Sequence, residues 1–207
     1  MKKRMFVSAL LACLCTMPFY AQKFHAGLTT GLSVATLSEI GALYDNSALK
    51  TGFGGGLTLL YDIDNTWGVQ SGLLYEQKGF RKKDVAGSEG EKITGTYNYI
   101  TIPLLAQGSF ALSGNTRMYG ITGVYAGFKT YSENALVSAS GETAEVPDGS
   151  EIRKSDFGWV IGGGIQVPAG KHLMQAGLKY SLGLTRVTDD SPDSRNKSLL
   201  IAVSLFF

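Results

Sequence analysis

The chain has 207 residues, 27 of them glycine and 22 aromatic (Phe 10, Tyr 10, Trp 2), with only 17% charged side chains. That length holds one domain or two small ones. Its 44% hydrophobic content excludes a disordered chain, glycine without a G-x-y repeat excludes collagen, and no run of about 18 apolar residues supplies a transmembrane helix.

The first 21 residues read as a cleaved signal peptide. Lys2, Lys3 and Arg4 form a basic start, Phe6 to Cys15 an apolar stretch, and Ala21-Gln22 the expected cut. An alternative reading takes Leu10-Leu11-Ala12-Cys13 as a lipobox, with Cys13 lipidated. Cleavage after Ala21 removes 21 of 207 residues and three of the 19 basic side chains, leaving residues 22–207 with 16 basic against 17 acidic groups and a charge of −1. The net +2 of the whole chain therefore belongs to the leader, and nucleic acid is not an expected partner. Both cysteines leave with the leader, so the mature domain would fold without a disulfide.

Residues 22–207 break into about eight segments of period-two alternation. Apolar positions are Phe24, Ala26, Leu28, Leu32 and Val34 in the first segment, and Phe53, Leu57, Leu59 and Tyr61 in the second. The third offers Trp67, Val69, Leu73 and Tyr75. Segments four (about 97–110) and five (about 117–131) are less regular: Tyr97 and Tyr99 share one parity and Ile100, Ile102 and Leu104 the other, which predicts a bulge near Pro103 that switches phase. The sixth carries Phe157, Trp159, Ile161, Ile165 and Val167; the seventh Met174 to Leu184 at alternate positions; the eighth Leu199, Ile201, Val203, Leu205 and Phe207.

The opposite face is small and polar, with Gly54, Gly56 and Thr58, then Gly68, Gln70, Gly72, Glu76 and Lys78, then Gly158, Gly162, Gly164 and Gln166. A soluble lipocalin-like barrel needs a charged exterior, and this face is too poor in charge to be one. Turned inside out, the pattern fits: apolar residues meet lipid and small or polar ones fill a narrow lumen. Ten residues at about 3.3 Å each, tilted roughly 40°, rise about 25 Å, the height of an outer-membrane apolar band. Short connections (62–66, 112–116, 168–171) alternate with long polar ones (about 37–50, 81–94, 132–155, 186–197). The fold class expected is all-β: an eight-stranded antiparallel up-and-down barrel with short periplasmic turns, longer extracellular loops and both termini in the periplasm. Two aromatic girdles are expected, Phe24, Tyr61, Trp67, Tyr119 and Phe207 at the periplasmic ends and Phe53, Tyr75, Tyr97, Phe157 and Trp159 at the outer ends.

The motifs GVQSGLLYEQKGF (68–80), YNYITIPLLAQ (97–107), SDFGWVIGGGIQV (155–167), LKYSLGLTRV (178–187) and SLLIAVSLFF (198–207) together resemble the small outer-membrane β-barrel proteins of Bacteroidetes, among them relatives of the PorT gliding and secretion protein. The resemblance spans nearly the whole mature chain and is specific in the order of its motifs. It implies an eight-stranded barrel inserted by the barrel-assembly machinery, with Phe207, and Leu205 beside it, as the assembly signal. It implies no shared substrate and leaves a secretion role as one alternative.

Catalysis would need convergent groups that the pattern does not supply. His25 and His172 fall at the periplasmic end, away from an outer-rim active site, and His25 reads as an interior hydrogen-bonding group. No mature cysteine remains and no spacing suggests zinc, so no cofactor is expected. Gly54-Gly55-Gly56 and Gly162-Gly163-Gly164 lack the Lys-Ser/Thr and helix of a phosphate loop. Glu76, Lys78 and Lys179 point inward, and a Glu76 contact to Lys179 or Lys78 across the lumen is expected, as a polar plug or, alternatively, a narrow ion path. Loop two (Arg81, Lys82, Lys83) suits lipid phosphates, and acidic loops three and four suit calcium, although solvated charge explains both. The expected protein is a non-enzymatic, monomeric outer-membrane barrel of structural or surface-binding role, in contact with lipid and with an unidentified surface or periplasmic partner. A secretion component or narrow channel are the alternatives.

Overall fold

A computed structural model describes residues 23–39, 47–83, 92–137, 143–145, 153–187 and 194–207. The leader, the 21/22 junction and Cys13 lie outside these residues, whereas Arg81, Lys82 and Lys83, expected in loop two, end a strand that runs from Trp67 to Lys83. Eight long strands follow in chain order: β1 Phe24–Glu39, β2 Lys50–Asp62, β3 Trp67–Lys83, β4 Lys92–Ser113, β5 Thr116–Val137, β6 Ser155–Ala169, β7 His172–Gly183 and β8 Ser194–Phe206. Each pairs antiparallel with its sequence neighbours, and β1 pairs with β8 from Gly27↔Phe206 to Glu39↔Ser194, which closes the wall. Closure leaves no open edge on the eight-stranded wall, the condition for placing backbone amides in lipid.

Alternation decides the two faces. Leu28, Leu32, Phe53, Leu57, Leu104, Ile161, Ile165, Ile201 and Val203 are exposed on the outside, while Ser33, Thr58, Gln70, Thr101, Gln166, Gln175 and Ser204 are buried within. An apolar outside and a polar inside is the lipid-facing order. Lys23 and Phe207 gather with three tight connections at one end of the barrel, the turn end. The four long connections lie at the other, the loop end. Two of the tight turns pivot on glycines in the left-handed region, Gly114 (φ 56) and Gly170 (φ 66), where a side chain would be strained.

The phase of β4 differs from the sequence expectation. Tyr97, Tyr99, Thr101, Leu105, Gln107 and Ser109 are all buried on one face, and Ile102 and Leu104 lie outside, so no phase switch occurs at Pro103. The irregularity lies in the partner: Asn98 pairs with Tyr131 and Tyr99 with Lys129, leaving Thr130 of β5 as the extra residue, its Oγ1 donating to the Asn98 carbonyl at 3.1 Å. Two girdle assignments fall with this. Tyr97 (3% exposed) and Tyr119 (7%) point into the lumen. Phe24, Tyr61, Trp67, Phe207, Phe53, Phe157 and Trp159 are exposed outward as expected, and half-buried Tyr75 lies on the same face.

Strand length also departs from ten residues. β4 and β5 each run 22 residues, roughly twice what the apolar band requires. Beyond the band they keep hydrogen-bonded partners, β3 on one side and a short Thr143–Glu145 segment on the other, while Ser47–Ala48 pairs with Arg81 and Lys82 of β3. The loop end therefore carries a paired sheet that stands above the membrane zone.

Candidate functional site

The lumen is filled in three layers. At the turn end four glutamines from β3, β4, β6 and β7 meet. Gln70 Nε2 donates to Gln107 Oε1 (2.6 Å) and to Gln175 Oε1 (2.8 Å); Gln175 Nε2 donates to Gln166 Oε1 (2.9 Å) and Gln107 Oε1 (3.1 Å); Gln107 Nε2 donates to Ser109 Oγ (2.9 Å). All four side chains are buried. Strands β3 and β7 stand opposite each other in an eight-membered ring, so the Gln70–Gln175 bond spans the lumen. A satisfied amide network of this kind is stable in a site without bulk water.

Above it lies an apolar layer of Leu105, Tyr119, Ile121, Tyr125 and Val160. Its two tyrosines fit because glycines face them: a Cβ on Gly177 would stand 2.5 Å from Tyr119 Oη, and one on Gly158 2.5 Å from Tyr125 Cε1. The glycines noted on the small face thus make room for rings from other strands.

The third layer, nearer the loop end, holds the charges. Lys78 Nζ lies 3.2 Å from Asp156 Oδ2 and 3.6 Å from Glu76 Oε2, with Lys78 only 1% exposed. It also sits 4.4 Å from the Tyr125 ring centroid and 5.3 Å from that of Tyr99. Asp156 accepts from Tyr125 Oη (2.9 Å), Asn196 Nδ2 (3.0 Å) and Lys78 at Oδ2, and from Thr185 Oγ1 (3.1 Å) at Oδ1. A buried carboxylate needs such a set of donors to remain charged. Lys179, buried on β7, makes no ion pair among the described residues; Glu76 acts on it only through space. Of the two contacts expected for Glu76, the one to Lys78 forms.

Asp156 is the residue the sequence reading missed. It precedes Phe157, and its parity with Gly158 and Gln166 was the available signal. Lys50 was missed as well; buried on β2, it crosses Gly79 of β3 to reach the Gly95 carbonyl (3.3 Å) and Thr96 Oγ1 of β4. The remaining candidates lie elsewhere. His25 Nε2 is 3.3 Å from Asp62 Oδ2 at the turn end. His172 packs edge-on against the ring of Phe207 at 5.1 Å, and the Phe207 amide donates to the Ala26 carbonyl at 2.8 Å. Phe207 is exposed and Leu205 half-buried on the outward face of β8. An open pocket of about 810 Å³ at the turn end, lined by Asn65, Thr66, Arg117 and Pro168, stops at Gln166 of the glutamine layer. Arg117 Nη2 donates there to the Asn65 and Ser109 carbonyls. Among the described residues no group of three or more His, Cys, Asp or Glu side chains could hold a metal ion.

A family model described as outer membrane protein beta-barrel domain matches residues 20–189. No curated protein matches the sequence. Among solved structures, the attachment invasion locus protein Ail of Yersinia pestis, in complex with the heparin analogue sucrose octasulfate, is 17% identical with a TM-score of 0.44, covering 89% of this chain and 99% of Ail. Outer membrane protein OprG of Pseudomonas aeruginosa is 14% identical (TM-score 0.48, 89% of this chain and 94% of OprG). Neisserial surface protein A is also 14% identical (TM-score 0.46, 88% and 97%).

Proposed function

The chain belongs to the outer membrane protein β-barrel domain family, and from that premise we propose that it is a sealed, non-enzymatic barrel of the Gram-negative outer membrane that works through its outer surface. In this reading the short turns face the periplasm, the loop end faces outward, and the barrel is monomeric. The observation that carries it is the bond between Gln70 and Gln175 across the lumen, backed by the Lys78–Asp156 layer. A solute path would have to break both. The lumen is therefore support for the wall, and the paired sheet formed by β3, β4 and β5 beyond the membrane zone is the surface offered to a partner.

The test is conductance of the full-length protein in planar bilayers. A silent bilayer is expected, and steady ohmic openings of the wild-type protein would replace this reading with that of a channel. The resemblance of the strand motifs to PorT relatives favours a secretion or gliding assembly as the partner. Crosslinking in intact cells, with loop-end positions as the reactive sites, should then recover a defined envelope protein.

A further inference from the structure

On the outside of the barrel near the loop end, cations gather on the described residues at the ends of β7 and β8. Among the residues whose side chains are described, the outward positions there on β2, β3 and β4 are Thr51, Gln77, Thr96 and Asn98, all uncharged, and on β5 Glu133 accepts a hydrogen bond from Tyr131 Oη at 2.9 Å. Cations stand just past the end of β7 and on the outward series of β8. Tyr180, Leu182 and Leu184 lead up to Arg186, and Ile201 and Leu199 lead up to Lys197 and Arg195. Lys197 pairs with Leu182, and Leu182 with Trp159, so the ammonium-bearing strand lies two strands from an exposed indole. Phe157 and Trp159 of β6 are exposed at 44% and 46% beside this strip.

None of the three cations makes an ion pair among the described residues. Arg195 also keeps its Nε shielded from solvent with no hydrogen-bond partner. An arginine donor left open among the described residues, at the upper limit of an apolar face, favours an incoming acceptor. Lysine and arginine stems lie along apolar surface while their heads reach the headgroup level, where aromatic rings also settle. Anionic oxygens at that level are lipid phosphates, which planar guanidinium groups bind in bidentate fashion.

We propose that Arg186, Arg195 and Lys197 form a phosphate-binding strip for the headgroup of a phosphorylated outer-leaflet lipid, its acyl chains lying against Leu182, Leu184 and Leu199. The assignment to the outer leaflet rests on the orientation given under Proposed function. The strip is distinct from the Arg81, Lys82 and Lys83 triplet that ends β3, because β7 and β8 lie across the barrel wall from β3.

Full-length protein, verified as folded by heat-modifiable gel mobility, is mixed in detergent with bisphosphorylated lipid A or with its dephosphorylated counterpart, and retained lipid is read by native mass spectrometry. The phosphorylated lipid is expected to be retained and the dephosphorylated one lost. The variant R186Q/R195Q/K197Q should lower retention on the order of tenfold or more, and K23Q/K171Q, at the turn end, should retain lipid as wild type does. Equal retention of the two lipids would mean that the chain's own carboxylates, such as Asp189, Asp190 and Asp193, neutralise the strip, and would overturn the proposal. Wild-type retention by the triple variant would do the same, as would full displacement by millimolar inorganic phosphate, which would mark a free-anion site. Conductance tests the sealed lumen separately, and protease access to the loops of whole cells tests the orientation. Either can fail without altering the lipid result.

Discussion

Lys78 and Asp156, three strands apart around the wall, meet inside the lumen at 3.2 Å with side chains 1% and 3% exposed. Neither is supported by strand pairing with the other, so the contact joins distant parts of the barrel. Removing one partner strands the other as a buried charge. Lys78→Met should therefore destabilise the barrel by about 3–5 kcal/mol, read as a lower urea midpoint for the heat-modifiable band. Lys78→Met combined with Asp156→Asn should recover much of that loss. A single variant as stable as wild type would show that the pair is hydrated.

The two polar layers close the lumen independently. Gln70→Ala alone, or Lys78→Ala alone, should leave planar bilayers silent, because the other layer persists. The double variant is then held shut by the apolar layer of Leu105, Tyr119, Ile121, Tyr125 and Val160 alone, and should conduct only in brief events. Conductance by Gln70→Ala alone would assign the whole seal to the glutamines.

Gly158 lets the Tyr125 ring lie against β6. In Gly158→Ala the new methyl would stand 2.5 Å from Tyr125 Cε1 and closer still to the Leu182 carbonyl. Overpacking of this kind costs about 1–3 kcal/mol. Displacing Tyr125 also removes a donor from Asp156, so Gly158→Ala with Tyr125→Phe should be less than additive in an unfolding titration.

Asp64 organises the first tight turn by accepting the amides of Trp67 (2.8 Å) and Thr66 (2.7 Å). These bonds, the Trp67 amide first, hold its carboxyl below the ordinary 3.8. A carboxylate depressed in the folded state contributes stability above its unfolded value and loses it as pH falls through the folded one. Amide exchange at Thr66 and Trp67 should be slow and flat with pH, after correction for intrinsic rates, down to about pH 4, then rise. In Asp64→Asn the acid step should vanish. An unchanged step in that variant would place the titration elsewhere.

Much of this barrel is legible in the alternation of single strands. In β7 and β8 every second residue is apolar, and local sterics send successive side chains to opposite faces, so Leu178 and Ile201 were placed outward without knowledge of any neighbour. The tight turns were legible for the same local reason, since Gly114 and Gly170 supply the backbone angles a two-residue connection needs. In β4, tyrosines and aliphatic residues occupy both parities, and polarity alone does not say which ring faces lipid. Only the pairing with β5, bulged at Thr130, assigned Tyr97 and Tyr99 to the lumen.

What the sequence determined by itself was the wall: the strand segments, the tight turns, the lipid-facing side and the inward aim of Glu76, Lys78 and Lys179. What only the tertiary structure decided was who meets whom inside it. The height at which a residue of one strand faces a residue of another depends on the stagger accumulated around the closed sheet, which no single strand encodes. That stagger brings Asp156 rather than Lys179 into line with Glu76 and Lys78, and sets Gln70 opposite Gln175.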